Sequence, residues 1–274
     1  MPLSREQRWN EEAAFFDRAA ERVQEGSLTI DPLALRRYTR TALRRRFNKE
    51  YRFRILGSLK EKSLLDVGCG SGQNSVMLAL MGARVTGVDV SPGAISAARR
   101  RAAINGVADR VRFLCTPIEK APLAEKEFDI VWGDGILHHI LEDLDLVLDH
   151  LVSCVKPEGL LVFSEPVNLS PLLRRLRPWF PVHTDATPGE RPMLREELDL
   201  LRRHVPRLEM QPFSILGRLD RLILARWNYE RSSVLRRGLV NVIAMVDWII
   251  GSLPGFERLA STYVLHGPPG TRSQ

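Results

Sequence analysis

The residues best suited to chemistry are few and grouped. Leu64-Leu65-Asp66-Val67-Gly68-Cys69-Gly70-Ser71-Gly72 is an apolar run ending in a glycine-rich loop. Glycines there let the backbone take positive φ and come close to a ligand, and a helix that starts after such a loop offers unpaired N–H groups to an anionic or polar head. A second apolar run, Val85-Thr86-Gly87-Val88, ends on Asp89, roughly twenty residues beyond the glycines, where a carboxylate can accept ribose hydroxyls. A dinucleotide fingerprint would need a third glycine where Gln73 stands, and Asp66 precedes the loop, which disfavours a nicotinamide cofactor. Asp134, His138, His139 and Glu165 complete the set: all come after apolar runs, at the strand ends where open α/β sheets bind ligands.

The elements that must position these groups are set by periodicity. Asp31-Pro32 reads as a cap and first turn, and Leu43, Phe47, Tyr51 and Ile55 recur every four residues before Gly57, so the N-terminal part is helical. Short β-branched runs then alternate with helical ones, predicting a parallel sheet with strands over 63–67, 84–88, 111–115, 128–132 and 159–164 and helices over 74–81, 92–105 and 141–155. The fold expected is α/β, a doubly wound, mostly parallel sheet with N-terminal helices and a helical insertion near the C-terminus. Its parts are an N-terminal helical lid (1–57), a binding core (58–168), an irregular cap with an edge strand (169–212), and an apolar helical insertion with a last strand (213–274).

Five segments in order carry a resemblance. Leu64 to Gly72 resembles the first motif of class I S-adenosylmethionine-dependent methyltransferases, and Val85 to Ser91 resembles the second. Phe113-Leu114-Cys115-Thr116-Pro117-Ile118-Glu119 aligns with the adenine-contact stretch, Phe128 to His139 with the segment that ends strand four in Leu-His-His, and Lys156-Pro157-Glu158-Gly159 with the turn into strand five. The resemblance covers residues 60–166. It implies a Rossmann-like core that binds S-adenosylmethionine through Asp66, Gly68, Gly70, Gly72, Asp89, Val90, Pro117, Ile118, Gly133 and Asp134. One departure stands out: Pro117 replaces the acid that in many relatives meets the adenine amine.

Methyl transfer from a sulfonium is an in-line displacement in which alignment and desolvation matter most, and a hydroxyl acceptor also needs a base. His138, His139 and Glu165 are the catalytic candidates. Either imidazole is a base or one packs against the helix start; Glu165 orients the acceptor, binds a cation or caps the next loop. Asp134 reads as a cofactor contact rather than a base. Tyr38 and Phe47 are either lid or core. Cys69 is given no chemistry, no metal site is expected, and His183, Asp185 and Glu190 read as a solvated loop.

Net charge is +7, with 40 Lys and Arg against 33 Asp and Glu, and the excess concentrates between Arg36 and Arg54. That stretch is a solvated helix face or meets anionic headgroups or phosphate. The apolar segment around 238–253 is shorter than the roughly 20 residues a spanning helix needs. It meets the core, a second copy in a homodimer, or a membrane surface. Three scattered cysteines and an N-terminus interrupted by charges fit a cytoplasmic protein, peripheral to a membrane at most. The expected partner is a small, lipophilic acceptor. Nucleic acid is disfavoured because Gly133-Asp134-Gly135-Ile136 replaces the Asn/Asp-Pro-Pro-aromatic motif of base-amine methylation. An RNA or protein methyltransferase, or a non-catalytic S-adenosylmethionine-binding protein, is the alternative.

Overall fold

The computed structural model describes residues 4–39, 47–171, 175, 190–224 and 228–270. Three helices come first: α1 (Arg5–Glu21), α2 (Pro32–Thr39) and α3 (Asn48–Leu56). The core alternates β1 (Ser63–Val67), α4 (Gln73–Leu80), β2 (Arg84–Asp89), α5 (Pro92–Ile104), β3 (Val111–Cys115), β4 (Phe128–Asp134), α6 (Leu144–Cys154) and β5 (Val155–Pro166). Then come α7 (Arg195–His204), β6 (Glu209–Phe213), the short α8 (Asp220–Ile223), α9 (Val234–Gly251) and β7 (Thr262–Gly267).

The sheet runs β3-β2-β1-β4-β5-β7-β6; β7 is antiparallel to both of its neighbours and the other pairs are parallel. Side chains alternate between its two faces, as strand geometry requires. Leu65, Val67, Val131, Leu161 and Phe163 face one apolar layer, and Leu64, Val85, Ile130, Trp132 and Val162 the other. Strand order reverses between β1 and β4, and a crevice opens there at the strands' carboxyl ends.

One expectation needs correction, and one alternative falls away. Strand five starts at Val155, ahead of the expected turn: Phe128 pairs with Val155 and Ile130 with Leu160, so Lys156 to Gly159 bulge out of the ladder. Proline here lacks a ladder donor, which a bulge tolerates. The helical insertion expected within 213–274 consists of the short α8 and of α9, and α9 buries only Val240, Ala244, Asp247 and Gly251. Its other face leaves Leu235, Leu239, Val242, Val246 and Ile249 exposed, which removes the core as the destination of that face. No helix among the described residues is long and apolar enough to cross a membrane.

The basic stretch is also less solvated than its composition implies. Arg37 pairs with Glu50 and Glu230, and Arg52 is 3% exposed, pairs with Asp134 and lies over the Trp132 ring. Lys49 is half-buried, and desolvation pushes its amine down to about 8 despite the nearby Asp134. Arg40, Arg44, Arg45 and Arg46 lie outside the described residues.

Helix α1 is pinned to the core at both ends. Arg5 and Arg8 pair with Asp143, and Asp17 accepts from Ser91 Oγ (2.5 Å) and Gly93 N (2.8 Å). Removing the shared carboxylate takes this partner from Arg5 and leaves Arg8 with Glu142 alone, which weakens α1 docking. Asp143→Ala should therefore speed tryptic cleavage after Arg18 and Arg22 severalfold while the urea midpoint of the core moves little. An unchanged digestion rate would show that α1 is held by other contacts.

Candidate active site

The loop after β1 takes the left-handed backbone that only glycine adopts freely: φ is +65° at Gly68, +51° at Gly70 and +75° at Gly72. A Cβ on Gly70 would meet nothing within 4 Å, so that glycine faces open space, whereas on Gly68 it would strike Ile136 Cδ1 at 2.6 Å. Gly70 N donates to Asp89 Oδ2 (2.8 Å) and Ser91 N to Asp89 Oδ1 (2.9 Å), so one carboxylate ties the glycine loop to the end of β2. Burial pushes Asp89 up, and the two backbone donors oppose it. Beneath the loop, Asp66 is 1% exposed, accepts from Ser75 Oγ (2.5 Å) and is pushed up to about 7 by burial. It supports the loop from inside and does not open onto the crevice.

A cavity of about 170 Å³ lies over this loop. Gly68, Gly70, Asp89, Val90, Ile118 and Asp134, all expected at a cofactor, line it together with Thr116, Glu119 and His139. Gly72, Pro117 and Gly133 stand behind the walls. Gly72 and Gly133 are packing glycines: a Cβ would meet Ala98 at 2.8 Å in one case and Phe163 at 2.6 Å in the other. Pro117 starts the 3-10 turn that turns Ile118 inward. Burial pushes the Cys69 thiol well up, in keeping with an unreactive residue.

At the end of β4, Asp134 accepts from Asn74 Nδ2 (3.0 Å) and pairs with Arg52 Nη2 (3.0 Å). Burial would raise its carboxyl, but the Arg52 and Lys49 cations and the Asn74 bond hold it below the usual carboxylate range. The chain then turns through Gly135, and Glu165 fixes the course of residues 136–138. Fully buried at the end of β5, Glu165 accepts from Ile136 N and Leu137 N (both 2.9 Å), His138 N (3.3 Å) and His138 Nδ1 (2.8 Å). Of the readings open to it, loop capping is what its geometry shows. His139 packs at a tilt against His138 (4.3 Å between centroids) and against Phe16, and has Nδ1 2.9 Å from Glu190 Oε1. Burial, and then His138, push the His139 imidazole down. Glu190 is thus clasped to the site rather than solvated; His183 and Asp185 lie outside the described residues.

The roof comes from α1, inside the expected lid segment, and not from the aromatic residues singled out there. Tyr38 stacks on Phe53 and Phe47 meets Tyr229, and neither reaches the crevice. Trp9, Glu12 and Phe16 of α1 close it instead. Their spacing puts them on one helical face, a signal present in the sequence but hidden among the charges of Arg5 to Glu21. Asn74, Lys49 and Arg52 also escape a reading of the sequence, because nothing local marks a polar or basic residue that turns inward.

Residues 65–163 match the family model of the methyltransferase domain. The chain has a class I S-adenosylmethionine-dependent methyltransferase domain. It is 36% identical over 136 residues to the ubiquinone biosynthesis O-methyltransferase of Bradyrhizobium diazoefficiens, covering 49% of this chain and 51% of the relative. It is likewise 36% identical over 113 residues to the mitochondrial protein of that name from Schizosaccharomyces pombe, covering 41% and 40%. The chain thus matches about half the length of these curated relatives at most. The geranyl diphosphate C-methyltransferase of Streptomyces coelicolor A3(2) shares the fold, with a TM-score of 0.56 and 16% identity over 98% of this chain and 99% of that one.

The roof over this domain, contributed by α1, has a pH signature. Burial pushes Glu12 from 4.5 up to about 7; Arg8 opposes the rise, and Glu119, Glu190 and Asp89 add to it. The folded state therefore binds more protons than the unfolded one between those values, so Glu12 withdraws stability as pH climbs through the window. Glu12→Gln should match the parent near pH 4 and exceed it above pH 7, by up to about 3 kcal/mol in urea unfolding. A pH-independent difference would remove Glu12 as the source.

Proposed function

We propose that the chain is an S-adenosylmethionine-dependent methyltransferase that methylates an oxygen of a small, lipophilic acceptor by in-line displacement. The observation that carries this reading is the crevice in which the open face of Gly70 and the doubly anchored Asp89 stand opposite the apolar walls of Val90 and Ile118. These residues fit the cofactor. Each Asp89 oxygen spends one lone pair on backbone and keeps another for a ribose hydroxyl, Val90 and Ile118 suit an adenine face, and the Gly68–Gly72 loop with Asp134 suits the methionine end. Asp66, Gly72, Pro117 and Gly133 act by shaping these walls.

The bound cofactor supplies a sulfonium methyl and its own leaving group. The chain's residues align the acceptor and exclude water: Trp9 and Phe16 cover the crevice, while His138, His139 and Glu165 form the polar corner beside it. The oxygen acceptor is inferred from the name shared by the curated relatives, and its lipophilic character from that name and from the apolar roof.

Asp89→Ala should abolish S-adenosylhomocysteine binding in calorimetry while the circular dichroism of the fold persists, since a surface-cleft carboxylate is lost rather than a core side chain. Retained affinity would sink the assignment. Calorimetry followed by methyl-transfer assays on pooled quinols and lipids separates an enzyme from a non-catalytic binder.

The acceptor's route is part of the same proposal. Helix α9 exposes Leu235, Leu239, Val242, Val246 and Ile249, with Arg236 and Arg237 at its start, a pattern suited to an anionic bilayer surface. The chain should co-sediment with phosphatidylglycerol vesicles, weakly or not at all with phosphatidylcholine, and Leu239→Glu with Ile249→Glu should end the binding without changing the melting temperature. A concentration-dependent doubling of mass that the same double variant abolishes would assign the face to a second copy instead.

A further inference from the structure

We propose that His138, His139 and Glu190 form a binding site for one divalent cation of the zinc and cobalt class, placed at the edge of the crevice. One ligand atom from each of these residues lies within 4.8 Å of the others. Tetrahedral coordination at about 2.0–2.1 Å places ligand atoms a little over 3 Å apart, so closure around an ion needs only small side-chain rotations.

Three features favour an ion over a plain polar clasp. The buried Nδ1 of His139 lies 2.9 Å from Glu190 Oε1 yet makes no hydrogen bond, so its lone pair is not directed at that oxygen. Glu165 takes Nδ1 of His138 at 2.8 Å, which leaves Nε2 as the free ring nitrogen and reproduces the carboxylate–histidine arrangement that orients a metal-binding imidazole. The same Glu165 also grips the backbone N–H groups of residues 136–138, so both rings stand on a fixed loop. Two imidazoles and a carboxylate suit a borderline cation better than magnesium or calcium.

Three protein ligands leave a coordination position open. His139 also lines the crevice, so that position adjoins the acceptor's side. This deepens the proposed function and rests on it: a hydroxyl coordinated to the ion loses its proton to solvent more readily than a free one, and becomes the nucleophilic oxygen that displacement requires.

The test is Co²⁺ titration of the untagged, metal-free full chain, followed by visible absorption and calorimetry. Tetrahedral cobalt bands that saturate at one equivalent per chain are expected. His139→Ala and Glu190→Gln should each weaken binding at least tenfold, and Glu165→Gln should weaken it about 10–100-fold. Glu190 sits outside the sheet, so its variant keeps the test meaningful if a histidine variant fails to fold. No saturable binding, or equal affinity in the His139→Ala, Glu190→Gln double variant, overturns the site. S-adenosylhomocysteine is titrated into the same metal-free samples. Its binding without cobalt binding sinks only the metal inference, whereas cobalt binding without nucleoside binding sinks the methyltransferase reading.

Discussion

The site depends on a carboxylate with no solvent at all. Burying Glu165 would be costly unless its lone pairs were satisfied, and three consecutive backbone N–H groups and one imidazole satisfy them. The residues immediately after β4 therefore have one available course. Ile136 is drawn across the sheet end, and only because Gly68 and Gly133 lack side chains can it pass. The glycine loop, the turn after β4 and the two imidazoles are thus fixed together, although they come from separate parts of the chain.

A second carboxylate does similar work on the other side. Asp89 binds the loop after β1 to the end of β2 through Gly70 and Ser91, and Asp66 holds that loop from below through Ser75. Preorganisation of this kind removes the cost of ordering the crevice when it is filled. The charged groups in the otherwise apolar wall of the crevice are mainly carboxylates: Glu12, Asp89, Glu119 and Asp134. A ligand bearing a fixed positive charge suits such a lining.

Much of this was legible in the sequence because it is local. Strands β1 to β4 and helices α4 and α5 are dictated by alternation, glycine placement and caps, each written within a dozen residues. Which residues form the roof was not legible: Trp9, Glu12 and Phe16 reach the crevice because Arg5 and Arg8 find Asp143, and Asp17 finds Ser91 and Gly93, far along the chain. The inward turn of Lys49 and Arg52 was hidden for the same reason, since composition records their charge but not the carboxylate that receives it. Glu190 read as a solvated residue because its partner, His139, is distant in sequence and its neighbours are irregular. In each case the missing information was a long-range pair, whereas the elements themselves were written in short-range pattern.

Helix α1 lies across the crevice like a bolt seated in two sockets, one ionic at Asp143 and one hydrogen-bonded at Asp17. Whatever occupies the space beneath cannot leave by that side until a socket opens. Dwell time is therefore set partly by ion pairs that touch no ligand, and dissolved salt loosens the ionic socket first. Exchange kinetics and intrinsic affinity are in this way separable properties of the same fold.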